Sequence, residues 1–454
     1  MPLPDQDHAL ELAHRILDWS SADETEVSIE CVEDRFVRYA DSGPTQSADR
    51  DRYEVGIRVR LHSGAGIREA KATCGNLDPV DAKAALGRAV QLAEVTDPNP
   101  ELAPLGGPVQ VPETAPERPT IDHTFREKAD WVKAALDACR AQDLVPAGLI
   151  ETTAMSRSLI SSTGREVQGA LTRAAFALTA SPASGEGGSG FAEHVAASVE
   201  AIRPDDVVRR AVEKAVSNRS PRPIDPGEYT VVLEPAAVSS ILLFAAYHGF
   251  GAQEVHEQSS FLCGRIGERV FSELLTVEDD AGNDTYPGFL FDGEGARKQR
   301  VGLIDRGTVC GPVTDARWAR KLDMPNTGHG VAQPSMCGPI ASNLVVQPGE
   351  ASLEDLIRGV DRGLLVSQFH YTNMIEPRDL TLTGMTRNGT FWIEHGEVRH
   401  AVRNLRFTEK LVNALARVTG VGREVEVAGA LFDGEVLAPA LRIERFRFTS
   451  TTEF

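Results

Sequence analysis

Leu10, Ala13, Ile16 and Leu17 recur at helical spacing, so the chain is expected to open with an amphipathic helix over 8–19. Over 52–61 the period falls to two. Tyr53, Val55, Ile57, Val59 and Leu61 alternate with Arg52, Glu54, Gly56, Arg58 and Arg60, which predicts a strand with one buried face. Gly64 and Gly66 turn it into a second strand over 67–74. Asp78 as N-cap, Pro79 as first helical residue and Asp81 in the first turn then start a helix that runs to about residue 95.

Residues 97–120 hold seven prolines (98, 100, 104, 108, 112, 116 and 119), too many for a helix or a central strand, and predict a semi-rigid linker. Beyond it the pattern gives a helix over 125–141 and strands over 149–153, 158–162 and 166–180. Ser162-Thr163-Gly164 reads as a hairpin turn, and a closing helix covers 205–216. Helix, hairpin and closing helix thus recur, as an internal duplication would produce. The glycine-rich run 184–190 lacks the GK[ST] ending of a phosphate loop and reads as a mobile surface loop. A second linker over 217–229 leads into the strand YTVVL. The helix over 236–248 is apolar nearly all round through Ile241, Leu242, Leu243, Phe244, Ala245 and Ala246, so its own domain or another subunit must cover it. Short apolar runs broken by Gly follow, and Ser352 with Asp355 caps a later helix. The expected fold class is α+β: two N-terminal helix/antiparallel-sheet units (1–105 and 118–220) followed by a larger, mostly β C-terminal domain (225–454).

With 47 Lys and Arg against 66 Asp and Glu in 454 residues, the net charge of -19 offers no general phosphate-neutralising surface. Nucleic acid is therefore not an expected partner. Cys31, Cys74, Cys139, Cys263, Cys310 and Cys337 form no CxxC pair and are expected to be reduced, buried thiols. The first residues lack a signal-peptide pattern, and no apolar run approaches ~18 residues. A cytoplasmic protein without membrane contact is expected.

Three blocks in order, SSFLCGRIGERVFSELLTVEDD (259–280), DGEGARKQRVGLIDRGTV and ARKLDMPNTGHG (319–330), resemble the long signature of the TldD/PmbA family, historically labelled modulators of DNA gyrase. NLVVQPGEASLEDLI (343–357) and NGTFWIEHGEVRHAV (388–402) extend the likeness. In the TldD-type subunit, a helix just before the SS-F block carries HExxxH, and a Cys near the C-terminus completes a zinc site in which the Glu activates water. An ungapped count back from Ser259 and Ser260 puts that window on Leu243, Phe244, Ala245, Ala246, Tyr247 and His248. His248 alone survives, and no cysteine follows Cys337. The pattern resembles the PmbA/TldE-type subunit, which pairs with a metal-bearing TldD-type subunit. The resemblance implies no catalytic residue and no cofactor in this chain, zinc in the TldD-type HExxxH partner, a heterodimer or homodimer, and a peptide substrate held in a shared chamber. Tyr247 and His248 are expected to reach that cavity. Asn326, Thr327 and His329, in a polar glycine-bearing loop, are candidates for peptide contact.

Two other chemistries compete. A metal site could be built from His248, His256 and Glu254 or Glu257; in one continuous helix the two histidines would lie about 12 Å apart along the axis, so this requires a loop after His248. A thiol hydrolase would need Cys263 activated by His256. A homodimeric binding protein without peptidase activity is the remaining alternative.

Overall fold

The computed structural model describes residues 6–41, 43–431 and 434–452. The N-terminal half contains α1 (Gln6–Trp19), β1 (Glu24–Ala40), β2 (Gly43–Ser63), β3 (Gly66–Cys74) and α2 (Pro79–Val95), then α3 (Arg118–Asp122), α4 (Phe125–Arg140), β4 (Leu144–Ser161), β5 (Glu166–Pro182), β6 (Gly190–Ala196) and α5 (Pro204–Ser217). Asp78 caps α2 by accepting the Val80 amide, and Thr124 with Glu127 forms a reciprocal capping box on α4. The two units share one six-stranded sheet of order β3-β2-β1-β4-β5-β6, joined where Val27 of β1 faces Ile160 of β4. Helices α1 and α2 bury Leu12, Ile16, Ala85 and Ala89 on one half of it, while α4 and α5 bury Val132, Leu136, Val207 and Ala211 on the other.

Three sequence expectations change. The strands over 149–153 and 158–162 are one strand, β4, because the polar stretch between them is paired on both sides, by β1 and β5. On β2, Val55, Ile57 and Val59 face the helices as the alternation requires, yet Arg58 and Arg60 on the other face are also buried, at 3% and 6% exposure. Arg58 is buried between Glu26 and Glu69, and Arg60 is covered by the proline-rich segment, which is a docked strap rather than a free linker. Its carbonyl at Ala103 accepts from Arg60, its Leu105 amide donates to Glu24, and Asn99 pairs with Ile67 of β3. Proline removes donors but leaves carbonyls, so such a segment can still be stitched down. The glycine-rich run is exposed through Gly187, but Ser189 donates to Asn388 of the C-terminal half.

The C-terminal half contains β7 (Gly227–Leu233), α6 (Pro235–His248), α7 (Ala252–His256), β8 (Val277–Asp279), β9 (Val301–Asp305), β10 (Thr308–Val309), α8 (Ala316–Leu322), β11 (Asn343–Val346) and α9 (Leu353–Arg358). After these come β12 (Arg362–Glu376), β13 (Thr381–Glu394), β14 (Glu397–Ala401), β15 (Leu405–Lys410), α10 (Leu411–Ala416), β16 (Val418–Leu431) and β17 (Gly434–Thr451). All eleven strands join one mixed sheet in which β7 lies between a parallel β12 and an antiparallel β17. Helix α6 is packed into the largest core, against β12, β16 and β17. The halves meet through Ala175, Val195, Tyr286, Val427 and Leu437, and through ion pairs Arg210–Glu426 and Lys214–Glu234. Among the described residues, no helix is long and apolar enough to cross a membrane.

Candidate functional site

The site starts from α6. Pro235 is tolerated at its first turn, and the helix then buries Ala237, Val238, Ile241, Leu242, Leu243, Ala245 and Ala246. Its less covered face is a stripe at helical spacing, Ala236, Ser240, Phe244 and Tyr247, ending on exposed His248. Leu243, at 5% exposure, points into the core, whereas Phe244 and His248, four residues apart, share the open side. Partial burial holds the His248 ring below the usual imidazole pKa. The helix stops at Gly249, where a Cβ would sit 2.4 Å from the Phe261 ring, and Ser260 Oγ donates to its carbonyl at 2.5 Å.

These residues do not fit zinc. Leu243 and Phe244 carry no donor atom, and among the described residues no group of three or more His, Cys, Asp and Glu side chains is placed to hold a metal ion. The rival set is therefore not assembled: the His256 ring packs on Trp318 at 5.3 Å, and Glu254 lies with one buried oxygen lacking a donor. Burial first, then Glu257 and Asp315, push the Glu254 carboxyl up. Cys263 Sγ donates to the Val255 carbonyl at 3.5 Å rather than to His256, so the thiol–imidazole pair of a hydrolase is not formed. The tail segment 427–446, which holds no cysteine, includes Phe432 and Asp433, which lie outside the described residues.

Backbone pairing connects α6 to the polar loop. Phe250 and Ala252 pair with Val313, and the next residue, Thr314, pairs with Thr327 and His329. Asn326 is exposed and accepts the Gly328 amide, and Thr327 is half-buried. His329 is 2% exposed, with Nδ1 2.9 Å from Thr327 Oγ1 and Nε2 3.0 Å from Asp279 Oδ1. Burial alone would raise the Asp279 carboxyl; Lys298 and His329 outweigh it and hold it low. His329 thus clamps the loop from beneath, and Asn326 is the residue of the three that reaches open space. The cysteines also divide: Cys31 and Cys139 are buried and pushed up to about 11 by burial, while Cys310 and Cys337 are exposed, contrary to the expectation of uniformly buried thiols.

Asn326 opens onto a feature that the sequence reading missed, a cavity of about 370 Å³ between β2–β3, the strap and the C-terminal half. Glu294 lines it. Its Oε2 accepts the Ala316 amide, and burial followed by neighbouring Asp292 pushes its carboxyl up to about 7. Asp292 is itself held by the amides of Glu294, Ala296 and Gly330. The DGEG run was visible in the sequence, but its meeting with Arg58, 236 positions earlier (294 − 58), was not.

Comparison with known proteins agrees with this architecture. Residues 226–450 match the PmbA/TldA metallopeptidase C-terminal domain and residues 118–219 the central domain of that family. A metalloprotease of Methanothermobacter thermautotrophicus is 26% identical over 348 residues, covering 70% of this chain and 74% of the relative. Metalloprotease PmbA of Escherichia coli O157:H7 is 25% identical over 251 residues, covering 53% of this chain and 51% of the relative. Among solved structures, TldE from Thermococcus kodakarensis superposes with a TM-score of 0.83 at 19% identity, covering 98% of this chain and 99% of that one. Two matched domains in their family order, over a fold of the same extent, make this chain a member of the PmbA/TldD metallopeptidase family.

Proposed function

We propose that the chain is the metal-free subunit of a two-component peptidase, completing a chamber with an HExxxH-bearing, TldD-like partner and helping to hold an extended peptide there. The observation that carries this reading is the α6 window. Leu243 and Phe244 occupy the positions at which a TldD-type subunit carries a zinc-binding His and the water-activating Glu, and Leu243 faces the core. The open stripe through Phe244, Tyr247 and His248 is then a wall of the chamber. The superposition on TldE supports the fold on which this reading rests.

The test is co-elution. The chain is purified with an HExxxH homologue, and peptidase activity is measured for each alone and for the pair. Stable co-elution with activity confined to the pair supports the proposal. Full activity of either component alone, or failure to associate at micromolar concentration, removes it. Self-association of this chain with saturable peptide binding would instead favour a homodimeric binding protein.

A further inference from the structure

The cavity at the junction of the two halves has a volume within the range of about 300–1,000 Å³ typical of small-molecule sites, which concentrate at such junctions. Its charged groups are unevenly satisfied. Arg58 gives Nη2 to Glu26 at 2.7 Å and Nη1 to Glu69 at 3.4 Å; Arg60 gives Nε to Glu69 at 2.6 Å; Arg317 pairs with Glu101 at 2.9 Å. Arg165 donates to the carbonyls of Gly107 and Glu294 at 3.1 and 2.6 Å. Glu294 differs. One of its oxygens accepts the Ala316 amide, and its carboxylate makes no ion pair among the described residues. On the same wall, Arg58 is 3% exposed with an Nε–H that meets no acceptor. A carboxylate without an ion-pair partner among the described residues and a buried donor without an oxygen are complementary to an ammonium group followed by a carbonyl.

We propose that this cavity binds the amino terminus of a short peptide, with the α-ammonium against the Glu294 carboxylate and the first carbonyl turned toward Arg58. This rests on the peptide reading above and adds to it a site on this chain, away from α6. Asp292 and Asp315 face Glu294 from its own loop and from the start of α8, and make the field there favourable to a cation; Arg58 on β2 opposes them weakly. Arg165 on β5 engages the Glu294 carbonyl. Because Glu294 carries a proton part of the time near pH 7, an arriving ammonium displaces it. Binding therefore tightens as pH rises toward 7, by at most about tenfold per unit, and weakens again above about 8 as the peptide amine loses its own proton.

The test is calorimetric titration of the full chain with Ala-Ala-Ala, N-acetyl-Ala-Ala-Ala and 1,4-diaminobutane. The free tripeptide is expected to bind saturably with proton release, and the acetylated one about tenfold or more weaker, the scale of one charge-assisted hydrogen bond. E294Q keeps an acceptor for the Ala316 amide; it should lower tripeptide affinity by a similar factor and flatten the acid limb of the pH profile. Equal affinity for free and acetylated peptide, no saturable binding, or an unchanged E294Q would overturn the proposal. Diaminobutane binding as tightly as the tripeptide would overturn the peptide assignment in favour of a simple amine site. If E294Q fails to fold, as its thermal melt would show, the acetylated peptide on the unaltered chain decides. Failure here leaves pairing with an HExxxH subunit intact, since co-elution measures that separately.

Discussion

Replacing Arg58 by Met removes the cation from a buried cluster while keeping most of the side-chain volume. Arg58 is 3% exposed in its side chain and its partners Glu26 and Glu69 are each 7% exposed, so screening by water is slight. Burial alone would make the guanidinium easier to deprotonate; Glu26 and then Glu69 more than reverse this. Breaking such a group by removing one partner costs about 3–5 kcal/mol, and Arg60, which still reaches Glu69, puts the expected loss near the lower end, about 3 kcal/mol. If the N-terminal sheet melts as one unit, that corresponds to a fall of roughly 6–12 °C in Tm. The double variant with E26Q should recover most of the loss, because Glu26 is then uncharged while Glu69 keeps its pairing with Arg60. Differential scanning calorimetry at pH 7 is the assay. A loss below about 1 kcal/mol, or no recovery when Glu26 is also neutralised, would refute the claim that this ion cluster is buried in the folded protein.

Three further outcomes follow. The double variant L243H/F244E should gain no tightly bound zinc, because position 243 points into the core; stoichiometric zinc by elemental analysis would show that position 243 can be brought to the open side of α6. Burial, reinforced by Lys128, lowers His123 to about 4, so it is neutral when folded and protonates on unfolding. Between about pH 6.5 and 4 this removes on the order of 2 kcal/mol, and His123→Asn should be less acid-sensitive than the unaltered chain in urea melts at pH 7 and 4.5, an equal acid response arguing against a buried neutral ring. Maleimide should label Cys310 and Cys337 in the native protein within minutes and reach Cys31 and Cys139 only after unfolding, as peptide mass mapping would establish; early labelling of Cys139 would contradict the core assignment of α4.

What was legible in the sequence was local. Asp78 before Pro79, Ser352 with Asp355 and the Ser162-Thr163-Gly164 turn are short-range hydrogen-bonding patterns, and each appears where the residues predict it. The apolar helix before the SS-F block was equally readable, because a helix without a polar face has to be covered. Contacts made across long separations were not readable. The pairing of Val27 with Ile160 that merges two units into one sheet has no local signature, and neither does the covering of Arg60 by a proline-rich strap. His329 was a candidate for peptide contact because its loop is polar and glycine-bearing; Asp279, fifty positions away (329 − 279), draws it inside. The Glu294 cavity escaped for the same reason, since its walls come from both halves of the chain.

Metal content tests the central claim most directly. The chain alone, and its complex with an HExxxH homologue, are desalted and measured by inductively coupled plasma mass spectrometry. The account predicts no stoichiometric zinc in the chain alone and about one zinc per pair, lost when the partner's first motif histidine is replaced and kept in His248→Ala of this chain. About one zinc held tightly by the isolated chain and lost in His248→Ala would contradict it, and would make α6 of this protein a metal site in its own right.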